Sequence, residues 1–271
     1  STTKWDDAID NNKMWHEINR VLRVNGCCIL FAQDPYTSVL MNDCHNNVPF
    51  SYRLVWDKKH YASPLGANKF PVNYFEDVCV FFKKYDSLAL HPLRHYFADV
   101  FDFIGKPKSE LMQTVGQRVD HCTRVNSTQF GLCIEATYNE LIERYSINKM
   151  QGFMSYAELK AVDDEHKKTV ARVFNLHDGK KYKSNILEYK KDYNGYHPTQ
   201  KPVALLEDLI QTYSNEGNTV LDFTMGSGST GVAAKNLNRK FIGIEKDAGY
   251  FEIAKQRLCL TKKFRRNNLA K

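Results

Sequence analysis

Apolar and polar positions along the chain recur in patterns that separate helices from strands. Over residues 11–24 (NNKMWHEINRVLRV), Trp15, Ile18, Val21 and Leu22 recur at helical spacing on one face. Asn25-Gly26 stops that helix. The unbroken apolar run Cys27 to Ala32 (CCILFA) then predicts a strand. Helix, glycine stop and apolar strand form the α-then-β half of an α/β unit, so this strand is expected to run parallel to its neighbours. Two more strands are predicted at Tyr52–Trp56 (YRLVW) and Val78–Phe82 (VCVFF). The intervening KKHYASPLGANKFPVNYFED is polar and contains Gly and Pro, which predicts a long loop. From His91 to about Lys149 the spacing turns helical: LRHYFADVFDFIG, KPKSELMQTVG and ATYNELIERYSI read as three helices, with the polar run DHCTRVNSTQF between the last two. Residues 150–195 are mixed and lysine-rich, and no solenoid period is present.

The last third is the most regular. HPTQKP (197–202) precedes the helical VALLEDLIQTYS; NTVLDF (218–223) is a strand, TMGSGS a turn and TGVAAKNLN a helix. KFIGIE (240–245) is a second strand and DAGYFEIAKQRL a further helix. This α-β-α-β-α order predicts a right-handed parallel unit.

Composition adds three exclusions. A chain with 42% hydrophobic and 25% charged residues is neither disordered nor low in complexity, and no apolar stretch approaches the ~18 residues of a membrane span. Thirty-eight Lys and Arg against 31 Asp and Glu leave a net charge of +7, which suits an anionic partner. The cysteines at 27, 28, 44, 79, 122, 133 and 259 include no C-x-x-C, so no metal site is expected, and they read as thiols of a reducing, cytoplasmic compartment. The polar start Ser1-Thr2-Thr3-Lys4-Trp5 carries no signal peptide; because the chain opens on Ser1 rather than Met, it is expected to be clipped.

The candidate chemistry centres on Gly226, Gly228 and Gly231, a G-x-G-x-x-G turn between a strand and a helix. Such a turn lets a ligand approach the backbone beside free helix N–H groups. Glu245, at the end of the next strand, is placed to accept hydrogen bonds from both hydroxyls of a ribose. Two ligands compete for this arrangement, a dinucleotide and S-adenosylmethionine. Asp222 ends the strand four residues before the first glycine, where an acid would repel a pyrophosphate but suit a cationic ligand with an amino group. Only about 40 residues follow the turn, too few to complete a nucleotide-binding sheet, so the other strands must come from the N-terminal half and the fold would be circularly permuted.

DFTMGSGSTGVAA with Glu245, preceded by HPTQKP, resembles the cofactor half of the permuted, beta-group DNA amino-methyltransferases, and most closely phage-type adenine-N6 methylases. KMWHEINRVLRVNGCCILFA, VWDKK and YFEDVCVFFKK are similar to the helix and strands that follow that family's catalytic turn. The resemblance implies an α/β, doubly wound, mostly parallel Rossmann-like sheet, with a catalytic half at residues 1–90, a small helical target-recognition insert at 91–195 and the S-adenosylmethionine-binding half at 196–271. Within the last, Asp222, Phe223, Gly226 and Gly228 would line the donor, Ser229 and Thr230 would open the helix, Glu245 would bind the ribose, and His197, Thr199, Gln200 and Lys201 would close over it. Pro202 by itself marks only a helix entry.

The implied function is methyl transfer from S-adenosylmethionine to N6 of an adenine flipped out of double-stranded DNA. Cytosine-N4 methylation, an inactive DNA-binding subunit and a dinucleotide oxidoreductase are the alternatives. The family's catalytic Asp/Asn/Ser-Pro-Pro-Tyr/Phe motif is expected before Ser1; Asp34, Pro35 and Tyr36 are its nearest imitation within the chain. The strand carrying that motif would be central, so a gap is expected beside residues 218–223, to be filled by another segment, a second copy or another chain. Candidate DNA contacts are Lys58, Lys59 and His60 in the long loop, Arg118, Arg124, Asn126 and Gln129 in the insert, and the Lys180, Lys181 and Lys183 cluster. Lysines suit phosphates, whereas Arg, Asn and Gln suit base edges.

Overall fold

The computed structural model describes residues 9–62, 67–85, 90–179, 181–192 and 196–268. In chain order the elements are α1 (Asn11–Val21), β1 (Cys27–Ala32), α2 (Tyr36–Asn42), β2 (Phe50–Ala62), β3 (Asn73–Phe82), α3 (Leu93–Ile104), α4 (Lys108–Thr114), α5 (Asp120–Thr123), α6 (Glu135–Tyr145), α7 (Tyr156–Val170), β4 (Ile186–Glu188), α8 (Val203–Tyr213), β5 (Thr219–Asp222), α9 (Ser229–Asn236), β6 (Lys240–Gly243) and α10 (Ala248–Asn268). They form two compact units, one of residues 1–15, 27–82 and 173–271, the other of residues 16–26 and 83–172.

The first unit holds a four-stranded sheet, in the order β1-β3-β2-β4, and the separate pair β5-β6. β1 and β2 both run antiparallel to β3, while β4 is parallel to β2 and β6 to β5. The sheet is therefore mixed rather than mostly parallel, and β1 is not a parallel strand. An apolar run reports burial on both faces of a sheet, not strand direction. β3 makes the point: Val78 and Val80 pack with Leu205 and Leu209, and Phe81 packs on Trp15, so the run is fully buried although both its neighbours are antiparallel.

The long loop expected over residues 58–77 is largely hairpin. β2 continues to Ala62 and β3 starts at Asn73, with Asp57 opposite Phe75 and Ala62 opposite Asn73. This outer half lies beyond the core, so Tyr61, Tyr74 and Phe75 are exposed and the apolar/polar alternation that marks a half-buried strand is lost. A register shift between Asp57 and Ala62, with Lys59 at φ 54, further breaks the pattern.

Helix α8 serves both sheets. Leu205 and Leu209, four residues apart, pack with Leu54, Trp56, Val78 and Val80. Leu206 and Ile210, one position on, pack with Ala233 and Ala234 of α9 and with Val220 and Phe241. Each pair stacks on its own stripe of the helix. The alternate residues Leu221, Ile242 and Ile244 are exposed. β5 pairs with β6 on one edge and with no other described strand, so the sheets do not close up beside residues 218–223.

The second unit is helical. Phe97, Val100, Leu111, Val119, Tyr138, Leu141, Ile147 and Leu159 form its core. Helix α7 falls in the stretch read as mixed; its signal is a capping box, in which Ser155 accepts from the Glu158 amide and Glu158 accepts from the Ser155 amide. The second compact unit comprises residues 16–26 and 83–172. Residues 173–192 join the sheets through β4 and through Asn175, whose amide bonds Thr212 O and whose side chain bonds Gln211 O and Ser214 O.

Candidate functional site

The site is built where β5 and β6 end. Parallel pairing sets Asp222 opposite Gly243, and the ladder runs on through Ile244 N to Asp222 O (2.9 Å) and Met225 N to Ile244 O (3.0 Å). Glu245 is thereby carried under the glycine turn. Its Oε2 accepts from Gly226 N at 2.8 Å and its Oε1 from Asp247 N at 2.9 Å. Asp222 accepts from Thr230 Oγ1 at 2.6 Å and from Thr224 N at 3.0 Å. These donors are uncharged, and each carboxylate oxygen keeps a lone pair for a further donor. Gly228 caps α9 at φ 81, a backbone that side chains disfavour.

The HPTQKP segment lies over this turn. The His197 ring stands 3.6 Å from the point that a Cβ on Gly226 would occupy, and Ser227 Oγ donates to Gln200 Oε1 at 2.9 Å. Thr199 N donates to His197 Nδ1 at 3.2 Å, which fixes the ring's orientation. Burial pushes the His197 pKa down, only partly offset by the Glu245 charge. With a folded pKa below the unfolded value of about 6.5, the unfolded state binds more protons on acidification. The stabilisation is therefore complete above pH 6.5 and is lost as pH falls through the folded value. Thermal unfolding followed between pH 7.5 and 5 is expected to show this decline, and His197→Gln should flatten it.

Two residues at the site carried no sequence signal. Arg257 of α10 donates to Ser227 O at 2.7 Å and to Ser227 Oγ and Ser229 Oγ, and lies 4.6 Å from the centre of the Tyr196 ring. The Tyr250 ring packs at 4.3 Å from His197. Both come from a helix whose register is fixed only by folding. Asp222, half-buried Phe223, Gly226, Gly228, Ser229, Thr230 and Glu245 thus gather with His197, Thr199 and Gln200. Lys201 does not point into the turn: it pairs with Glu76 Oε1 at 2.7 Å.

The remaining candidates are placed differently. Asp34, Pro35 and Tyr36 are exposed after β1; Asp34 accepts from Ser38 Oγ and Tyr36 OH donates to Asn11. Lys58 is no surface phosphate contact, since it is 3% exposed and paired with Glu76 at 3.3 Å. Lys183 is likewise an internal cation, 11% exposed on Asp208 Oδ1 at 2.5 Å, where His177 Nε2 also bonds. Lysine's charge predicts exposure, but here a carboxylate inside the fold holds each ammonium. Lys59 bonds Asp57 and Glu188, while His60 and Lys181 are exposed; Lys180 lies outside the described residues. In the helical unit Arg118 bonds Glu140 at 3.1 Å, Arg124 bonds Asp120 and Gln129, and Asn126 is exposed. The Arg124 bond, with Lys108 beside it, holds the Asp120 carboxyl down to about 2. Among the described residues no cluster of three His, Cys, Asp or Glu has metal-site spacing, and no helix is long and apolar enough to cross a membrane.

This geometry can be set beside known proteins. A model of the DNA methylase family matches residues 3–256. The chain belongs to that family. Over 87 residues it is 45% identical to Type II methyltransferase M2.DpnII of Streptococcus pneumoniae, covering 31% of this chain and 32% of the relative. Over 91 residues it is 44% identical to Type II methyltransferase M.HindIII of Haemophilus influenzae, covering 33% and 29%. The chain thus matches about a third of the length of these curated relatives. The crystal structure of the M1.HpyAVI-SAM complex superposes with a TM-score of 0.53 at 22% identity, over 93% of this chain and 85% of that one, which shows the shared fold.

Proposed function

We propose that this chain is a site-specific, beta-group DNA methyltransferase that moves a methyl group from S-adenosylmethionine to N6 of adenine, as part of a cytoplasmic restriction-modification system. The observation that carries the reading is the pair of carboxylates, Asp222 and Glu245, held at the Gly226–Gly228 turn by uncharged donors. A diphosphate would meet two like charges there. A ligand bearing an ammonium and a ribose meets acceptors instead. When bound, S-adenosylmethionine supplies an electrophilic methyl on a cationic sulfur. Asp222 and Glu245 hold its polar ends, and His197, Thr199 and Gln200 cover it.

The adenine amine is a weak nucleophile, because its lone pair is delocalised into the ring. It needs an acceptor for its N–H groups and a fixed line of attack. The Asp/Asn/Ser-Pro-Pro-Tyr-type motif supplies that acceptor in the family. We place such a motif on a further strand paired with the edge of β5 that no described strand occupies, contributed by another segment or another chain; Asp34, Pro35 and Tyr36 are the candidate within this chain. The adenine assignment rests on the sequence resemblance to phage-type adenine methylases. The exposed Lys59, His60, Lys181 and Asn126 remain the candidate DNA contacts, and Arg118 and Arg124 would have to exchange their present partners to join them.

Transfer of a labelled methyl group from S-adenosylmethionine to unmethylated duplex DNA, by the chain together with the segment or partner that carries the catalytic motif, tests the proposal, with nucleosides of the digest identified by mass. N6-methyladenine is the expected product. N4-methylcytosine would overturn the adenine assignment. Donor binding without transfer would make the chain a DNA-binding subunit.

A further inference from the structure

Two adjacent residues of the HPTQKP segment face opposite ways. Gln200 accepts from Ser227 in the glycine turn, whereas Lys201 pairs with Glu76 on β3. The turn belongs to the β5-β6 pair and Glu76 to the four-stranded sheet, and these two sheets share no ladder among the described residues. Lys201 is also seated on aromatic rings, 5.0 Å from the centre of Phe31 on β1 and 5.8 Å from that of Trp56 on β2. Glu76 in turn holds Lys58, whose side chain is 3% exposed and whose ammonium lies 5.5 Å from the centre of the same Trp56 ring. Three charged side chains, exposed by 3%, 14% and 24%, thus form one largely buried chain, Lys58–Glu76–Lys201.

A buried ion pair is weak support for stability, since desolvation offsets much of the attraction; its better-attested use is to fix one arrangement among several. Burial lowers the Lys58 pKa and Glu76 raises it, as expected for a cation kept only by its partner. An apolar side chain at 201 would pack on Phe31 and Trp56 as readily as a lysine stem, but it would not select Glu76.

We infer that Lys58–Glu76–Lys201 is a tether that sets the position of the His197–Gln200 segment over the glycine turn, so that Lys201 is a positioning residue for the cofactor rather than a ligand of it. The inference rests on the reading of the turn as an S-adenosylmethionine site. Lys201 acts by fixing its neighbour Gln200, and through it Ser227, while Glu76 is the fixed point on β3. Lys58, 3.3 Å from its Oε2, holds Glu76 in place.

The full chain, titrated calorimetrically with S-adenosylmethionine, tests this. Lys201→Met is expected to weaken binding about tenfold, the scale of one charge-assisted contact, with little change in thermal midpoint. Lys201→Arg, which keeps the charge, is expected to recover most of the affinity. In a double-mutant cycle Glu76→Gln with Lys201→Met should bind no worse than the weaker single variant, because both break one link. Lys201→Met binding as well as the parent chain, or losses that add in the double variant, would overturn the tether. A parent chain that binds no S-adenosylmethionine would overturn instead the reading of the turn. If Lys201→Arg binds as poorly as Lys201→Met while circular dichroism and thermal midpoint are unchanged, the ion pair does not position the segment and the inference fails.

Discussion

Glu245→Gln is expected to weaken S-adenosylmethionine binding by about 100-fold, the scale of losing a charged, doubly bonded acceptor, with the fold intact. Both carboxylate oxygens are held by backbone N–H groups, Gly226 at one end and Asp247 at the other. An amide can match only one of them; its NH2 must face the other donor. The turn therefore loses its anchor at Gly226 or at Asp247, and the site loses the charge that accepts ribose hydroxyls. Calorimetric titration reads this directly. If the turn instead held a diphosphate, removing the negative charge would strengthen binding, so the sign of the change separates the two ligands. Unchanged affinity would remove Glu245 from the site.

Gly228→Ala is the second large effect. At φ 81 an L side chain costs roughly 1–2 kcal/mol. The new Cβ would also lie 2.8 Å from Ala254 Cβ and 3.1 Å from Ala254 Cα on α10. The Cα is backbone-fixed, so the helix must shift, and Arg257 on the same helix would be drawn off Ser227 and Ser229. We expect a thermal midpoint lower by about 5 °C or more and loss of measurable donor binding. Gly217→Ala is the control: its φ is 78, but nothing lies within 4 Å of a Cβ there. It should lower the midpoint by backbone strain alone and leave binding unchanged. Equal binding by the Gly228 and Gly217 variants would show that the contact with α10 does not shape the site.

The turn was legible because its information is local. A strand ending in Asp222, glycines at fixed offsets and Glu245 one strand later are constrained by backbone conformation within a few residues, and the pairing of Asp222 with Gly243 follows. Strand direction was not legible. CCILFA and VCVFF look alike in sequence, and only the pairing of β1 and β2 on either side of β3 makes both neighbours antiparallel. The outer hairpin was hidden because it stands clear of the core and carries no alternation to read. The lysines failed for a different reason. Lys58 and Lys183 are indistinguishable from surface charges, and Lys201 from a residue that closes over the donor, until Glu76 and Asp208 are brought to them from distant parts of the chain. Arg257 is the same case in reverse, a helix residue drawn to the glycine turn by contacts 28 to 30 positions away.

The central claim is that the acid-flanked turn takes a sulfonium ligand. Its most direct test is titration of the full chain with S-adenosylmethionine and, separately, with NAD. The account predicts saturable one-to-one binding of S-adenosylmethionine, displaced by S-adenosylhomocysteine and abolished by Gly228→Ala, and no heat from NAD. Binding of NAD, or failure of S-adenosylmethionine to bind a folded chain, would contradict it.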